Sequence, residues 1–136
     1  MRYLVDTNVL LYAASTAPEE ERKARIARDL LDSEDLALSV QVLQEFYVQA
    51  TRPNRSGNLT HRQATLLIEA FLRFPVQETT VSVVKASLDA KERFQISYWD
   101  ASIIEAARAL GCKTVLSEDL SDGRDYGGVT VENPFR

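Results

Sequence analysis

Apolar residues fall along this chain in two rhythms: short unbroken runs, and longer stretches in which they recur every three to four positions. Unbroken runs of three or four read as strands buried on both faces, and the longer rhythm reads as helices with one buried stripe. Residues 2–5, 36–38, 76–78, 113–116 and 129–131 are the expected strands. Residues 8–14 form an expected short helix. A second spans 16–32, with Thr16 and Glu19 spaced as a capping box, Pro18 in its first turn, and acids preceding bases along it. Ser39 is placed to cap a helix running to residue 51, and the Pro, Gly and Asn of 52–58 mark a loop.

Thr60 and Gln63 form another capping box, with Leu67, Ile68, Phe71 and Leu72 on one face of the helix behind it. Two more helices are expected over 80–94 and 97–110. The second carries Trp99, Ile103, Ala106 and Leu110 on one side and stops at Gly111. Short apolar strands alternating with helices imply an α/β fold: a three-layer α/β/α sandwich around a mostly parallel sheet.

Composition narrows this picture. The 136 residues suit one domain over 1–136, large enough to bury a core without a metal or disulfide staple. The sole cysteine, Cys112, excludes an internal disulfide and suits a reducing compartment. Asp6, Thr7 and Asn8 split the N-terminal apolar stretch, and no run approaches the roughly 20 apolar residues of a membrane span, so a cytoplasmic protein without a membrane partner is expected. The net charge of −4 argues against nucleic acid only if the acids are evenly spread. They are not: no carboxylate lies between Glu45 and Glu69, where Arg52, Arg55, His61 and Arg62 fall. That stretch is either an ordinary solvated loop or a surface that follows phosphates.

Ligands of a parallel α/β sheet bind outside the carboxyl ends of its strands. Asp6 and Asp119 follow two expected strands, Glu45 lies about two turns into the helix after another, and Asp100 is in the first turn of its own. Each acid also has a plain structural explanation. Asp6 and Asp100 suit helix N-termini, Glu45 a solvated helix face, and Asp119 a turn. Convergence would require protons or a cation, because carboxylates about 4 Å apart repel by about 4 kcal/mol at an effective dielectric of 20. An all-oxygen donor set selects magnesium or manganese over zinc, and one His with one Cys cannot make a structural zinc site of four protein ligands.

The segments Tyr3-Leu4-Val5-Asp6-Thr7-Asn8-Val9-Leu10, Leu38-Ser39-Val40-Gln41 to Glu45-Phe46, Tyr98-Trp99-Asp100-Ala101 and Leu116-Ser117-Glu118-Asp119-Leu120 together resemble a PIN domain. The closing Gly127-Gly128-Val129-Thr130-Val131-Glu132-Asn133-Pro134-Phe135 is similar to the end of the VapC branch, the toxins of VapBC toxin–antitoxin pairs. The resemblance implies a magnesium-dependent endoribonuclease (manganese could substitute) and a homodimer. It also implies a cognate VapB-like antitoxin whose C-terminal segment fills the active-site groove. On that pattern Asp6, Glu45, Asp100 and Asp119 are the metal-holding and catalytic acids. Thr7, Asn8 and Ser117 are their polar support, and Glu118 or Asp122 could add a ligand or replace Asp119. Arg52, Arg55 and Arg62 would contact the RNA. Two rivals stand beside this. One is a PIN-like binding module without catalysis. The other is an aspartyl-phosphate domain, which would want an acid at position 8 or a lysine after a late strand, where Asn8, Ser117 and Glu118 stand.

Overall fold

In a computed structural model, residues 3–33 and 35–136 are described. The chain runs β1 (Tyr3–Val5), α1 (Thr7–Ala14), a 3-10 turn (Pro18–Glu20), α2 (Glu21–Ser33), β2 (Leu36–Ser39), α3 (Val40–Ala50) and α4 (His61–Phe71). It continues with β3 (Val76–Gln77), α5 (Val81–Phe94), α6 (Tyr98–Leu110), β4 (Thr114–Leu116) and β5 (Thr130–Glu132). The expected strand start at residue 2 lies outside the described residues. All five strands are parallel, in the order β3-β2-β1-β4-β5.

Strand alternation divides the core into two layers. Leu4 is in register with Ala37 and Val115, and Val115 with Val131. These four face Ile103, Ile104 and Ala107 of α6. Val5, Leu38 and Leu116 point to the other face, against Val9, Leu10, Val42 and Phe46 of α1 and α3. The helices on both faces make the three-layer α/β/α sandwich, and α5 lies outermost against α6.

Local chemistry sets most element ends. Ser39, Thr60, Thr80 and Ser97 each accept a backbone N–H at a helix start, and Thr60 with Gln63 forms the full capping box. Gly111 ends α6 at φ 78. The box expected at Thr16 does not form: Ser15 Oγ accepts the Ala17 N–H and donates to Glu20, one residue earlier than the sequence suggested. Thr16 is turned instead toward Gly57, its Oγ1 3.4 Å from where a Cβ on that glycine would sit. Trp99 also departs from expectation: Ile103 and Ala106 are buried, but the indole is 63% exposed. Leu72 ends α4 and is exposed as well.

Candidate metal centre

The strand order reverses between β1 and β4, and in an open parallel sheet a crevice forms outside the carboxyl ends at such a point. Asp6 follows β1 directly, and its backbone N–H donates to Leu116 O at 2.9 Å, extending the β1–β4 ladder by one residue. Its side chain is therefore fixed at the switch point, 6% exposed.

Both Asp6 carboxylate oxygens are engaged. Thr7 N–H donates to Oδ1 at 2.7 Å and Ser117 Oγ donates to Oδ2 at 2.7 Å. Ser117, wholly buried after β4, also accepts from the Asp119 and Leu120 backbone N–H groups at 3.1 and 3.2 Å. The Thr7 hydroxyl donates to Glu45 Oε1 at 2.8 Å, and Asn8 Nδ2 donates to Asp119 Oδ2 at 3.2 Å. Asn8 Oδ1 in turn accepts the Glu118 backbone N–H at 3.2 Å. One chain of hydrogen bonds thus joins Asp6, Glu45 and Asp119 through Thr7, Asn8 and Ser117.

Asp100 is not part of that chain. It sits half-buried in the first turn of α6, where its N–H donates to Ser97 Oγ at 3.1 Å. Because α6 leads into the amino end of β4, its first turn lies toward the carboxyl end of the sheet. Gln41 Nε2 donates to the neighbouring Trp99 carbonyl at 3.3 Å, tying that turn to the start of α3.

Burial pushes the Asp6 carboxyl up to about 6, against the lowering effect of its Ser117 and Thr7 hydrogen bonds, and the charges of Glu45 and Asp119 push the same way. A neighbouring cation would oppose this shift. The acids do not close on one point: among the described residues no three Asp, Glu, His or Cys side chains form a ready ligand cage. Their chemistry nonetheless fits a hard divalent ion that keeps much of its water, as magnesium does when one or two carboxylates hold it.

The two additional acids have other partners. Glu118 accepts from Tyr12 OH at 2.5 Å and pairs with Lys23 Nζ. Burial alone would raise its pKa, but the hydrogen bonds from Lys23 and Tyr12 hold it below the usual carboxylate range. Asp122 accepts the Asn133 N–H at 2.8 Å and pairs with Arg136, fastening the C-terminal tail. Sequence reasoning missed Tyr12 and Lys23, although Tyr12 lies four residues after Asn8 on the same helical face.

A cleft of about 200 Å³ opens beside these groups, bordered by Asn8, Tyr12, Gln49, Arg55 and Asp119. Arg55 lines it, whereas Arg52 and Arg62 are exposed and do not border it. Its location was not the only information lost to local reading: Gln49 on α3 gave no sequence signal at all.

A doubly wound parallel sheet with Asp6 buried at its switch point, and Glu45 and Asp119 linked to it by hydrogen bonds, defines a class of α/β proteins, and the comparisons narrow it. The chain belongs to the PIN domain family, whose model matches residues 3–121. Comparison with curated protein sequences gave no match. Among solved structures, the chain is similar to a toxin–antitoxin complex from Klebsiella pneumoniae, with 19% identity, 97% of each chain covered and a TM-score of 0.70. It is also similar to Mycobacterium tuberculosis VapC20, a sarcin–ricin loop cleaving toxin, with 20% identity, 86% of this chain and 89% of that one covered, and a TM-score of 0.67. A third is Rickettsia felis VapBC2 bound to a promoter DNA fragment, with 18% identity, 98% of each chain covered and a TM-score of 0.68. At these identities the likeness concerns the fold.

Proposed function

We propose that this chain, as one PIN-like domain over residues 1–136, is a magnesium-dependent endoribonuclease and the toxin of a type II toxin–antitoxin pair. The observation that carries this reading is the hydrogen-bonded set of Asp6, Glu45 and Asp119 at the sheet's switch point. Family membership and the VapC-like fold support it.

In this reading Asp6 and Asp100 would hold the ion, with Glu45 and Asp119 completing its donor set. When bound, magnesium supplies Lewis acidity toward the phosphoryl group and offsets the charge of the acids. Glu45 or Asp119 orients the attacking water and takes its proton as the new phosphorus–oxygen bond forms and the leaving oxygen departs. Thr7 fixes Glu45 and Asn8 fixes Asp119, so neither needs to be ordered during the reaction. Arg55 meets a flanking phosphate at the cleft, and Arg52 and Arg62 extend the basic surface. A splayed single strand suits this groove better than a continuous duplex.

A homodimer and a cognate VapB-like antitoxin are part of the proposal, the antitoxin supported by toxin–antitoxin complexes of the same fold. So is a cytoplasmic setting; among the described residues no helix is long and apolar enough to cross a membrane. The purified protein is expected to cleave single-stranded RNA in magnesium and not in EDTA. Asp6→Asn and Asp100→Asn should each lower the rate by about a hundredfold or more with the fold intact, while His61→Ala should not change it. Full activity in either acid variant refutes the assignment, and absence of cleavage by the wild type favours a PIN-like binding module.

A further inference from the structure

The cleft beside the acids carries hydrogen-bonding groups that the acid set does not use. Three carboxylates border it: Glu20, Glu118 and Asp119. Glu118 has both oxygens engaged by Tyr12 and Lys23, and Asp119 is joined to Asn8. Glu20 differs from both. Ser15 Oγ donates to its Oε1 at 2.6 Å, and its Oε2 has no hydrogen-bond partner among the described residues. The side chains of Gln49 and Arg55, which border the same cleft from α3 and the loop after it, also have none there.

All three residues are half-buried, and their backbones are held in place. The Glu20 N–H donates to Ala17 O at 3.0 Å, and Ser15 Oγ accepts the Ala17 N–H, fixing the turn that presents the carboxylate. The Arg55 N–H donates to Arg52 O at 3.0 Å, and the Arg52 N–H to Gln49 O at 3.3 Å. Buried Leu11 adds an apolar stretch to the lining. At about 200 Å³ the cleft is smaller than the roughly 300–1,000 Å³ of sites for drug-sized ligands, so it suits one nucleobase and not a longer segment.

The free groups differ in what they can bind. A carboxylate only accepts, a guanidinium only donates, and an amide does both. Of the four RNA bases, guanine alone presents two adjacent N–H donors, at N1 and N2, with an acceptor, O6, beside them on its Watson–Crick edge. The donors match Glu20 and the acceptor matches the Gln49 amide. Uracil has one donor between two carbonyls, and cytosine and adenine would each turn an unprotonated ring nitrogen toward the carboxylate.

We propose that Glu20 and Gln49 form a guanine-reading pocket beside the acids, with Arg55 holding the adjoining phosphate, so that cleavage falls next to an unpaired guanosine. The proposal rests on the nuclease reading and deepens it by assigning a base preference to the same cleft.

A labelled ten-nucleotide oligouridylate with one central guanosine is titrated in EDTA, with anisotropy reporting binding. The same RNA is incubated with magnesium and the cut is mapped on a gel. Wild type should bind it about tenfold more tightly than the all-uridine RNA, or about 1.4 kcal/mol, and cut beside the guanosine. Inosine, which lacks only the N2 amino group, should weaken binding about threefold. Glu20→Gln and Gln49→Ala should each reduce the preference for guanosine to within about threefold. Glu20→Gln keeps an oxygen for Ser15 and should melt near wild type.

Equal affinity for the two RNAs would overturn the pocket, and magnesium-dependent cleavage of both would then still support the nuclease. A guanosine preference in binding without cleavage by the wild type would overturn the nuclease reading and retain the pocket. A preference left unchanged by both substitutions would put the base elsewhere and overturn the assignment. Binding of neither RNA would overturn it as well.

Discussion

Burial outweighs hydrogen bonding at Asp6, and its carboxyl is raised from the ordinary 3.8 to about 6. A folded-state value above the unfolded one means that the protonated carboxyl adds stability at low pH. That contribution is complete below about pH 4 and is lost as pH rises through 6. The shift corresponds to about 3 kcal/mol at neutral pH. Asp6→Asn escapes it but misaligns one hydrogen bond, with Ser117 or Thr7, at a cost of about 1–2 kcal/mol. Without metal, the variant is therefore expected to be at least as stable as wild type at pH 7, and to lose that relative advantage toward pH 4. Urea unfolding at the two pH values measures this. A variant clearly weaker at pH 7 would make Asp6 a structural cap.

The order of the acids was legible because Asp6 directly follows one apolar run and Asp119 comes three residues after another. Their connections were not, since Thr7 reaches Glu45 across 38 positions and Asn8 reaches Asp119 across 111. Trp99 was misread for a related reason: helical spacing identifies a face but not how far the first turn projects beyond the core.

Among the elements, those governed by local chemistry were the most legible. Thr60 and Gln63 satisfy each other's backbone N–H groups in the way their spacing predicts. Thr60→Ala should cost about 1 kcal/mol of unfolding free energy, read as a shift in urea midpoint without a change in slope; no shift would mean that α4 is held by packing alone. Thr16 and Glu19 have the same spacing but lose to Ser15, whose hydroxyl engages both Ala17 and Glu20. Spacing finds a capable pair and cannot rank it against a neighbour whose geometry depends on the loop around Gly57.

Over the whole molecule, the β3-β2-β1-β4-β5 order explains why the site forms where it does. Successive connections pass to opposite sides of β1, so the segments after β1 and β4 diverge and leave their polar ends facing one crevice. The hydrophobic layers on either side hold that arrangement rigid against the repulsion of its acids. The sequence predicted the layers from alternating strands and helices, but sheet order is a long-range property that short strands of two to four residues do not encode locally.

On the proposed function, these acids tolerate one another by holding a cation. The most direct test is the melting of the metal-free wild type, Asp6→Asn and Asp100→Asn as magnesium is titrated at pH 7. Wild type should gain about 2.7 kcal/mol at a hundredfold excess over Kd, and each variant should gain far less. Equal gains in all three proteins, or no gain in wild type, would mean that Asp6 and Asp100 hold no ion.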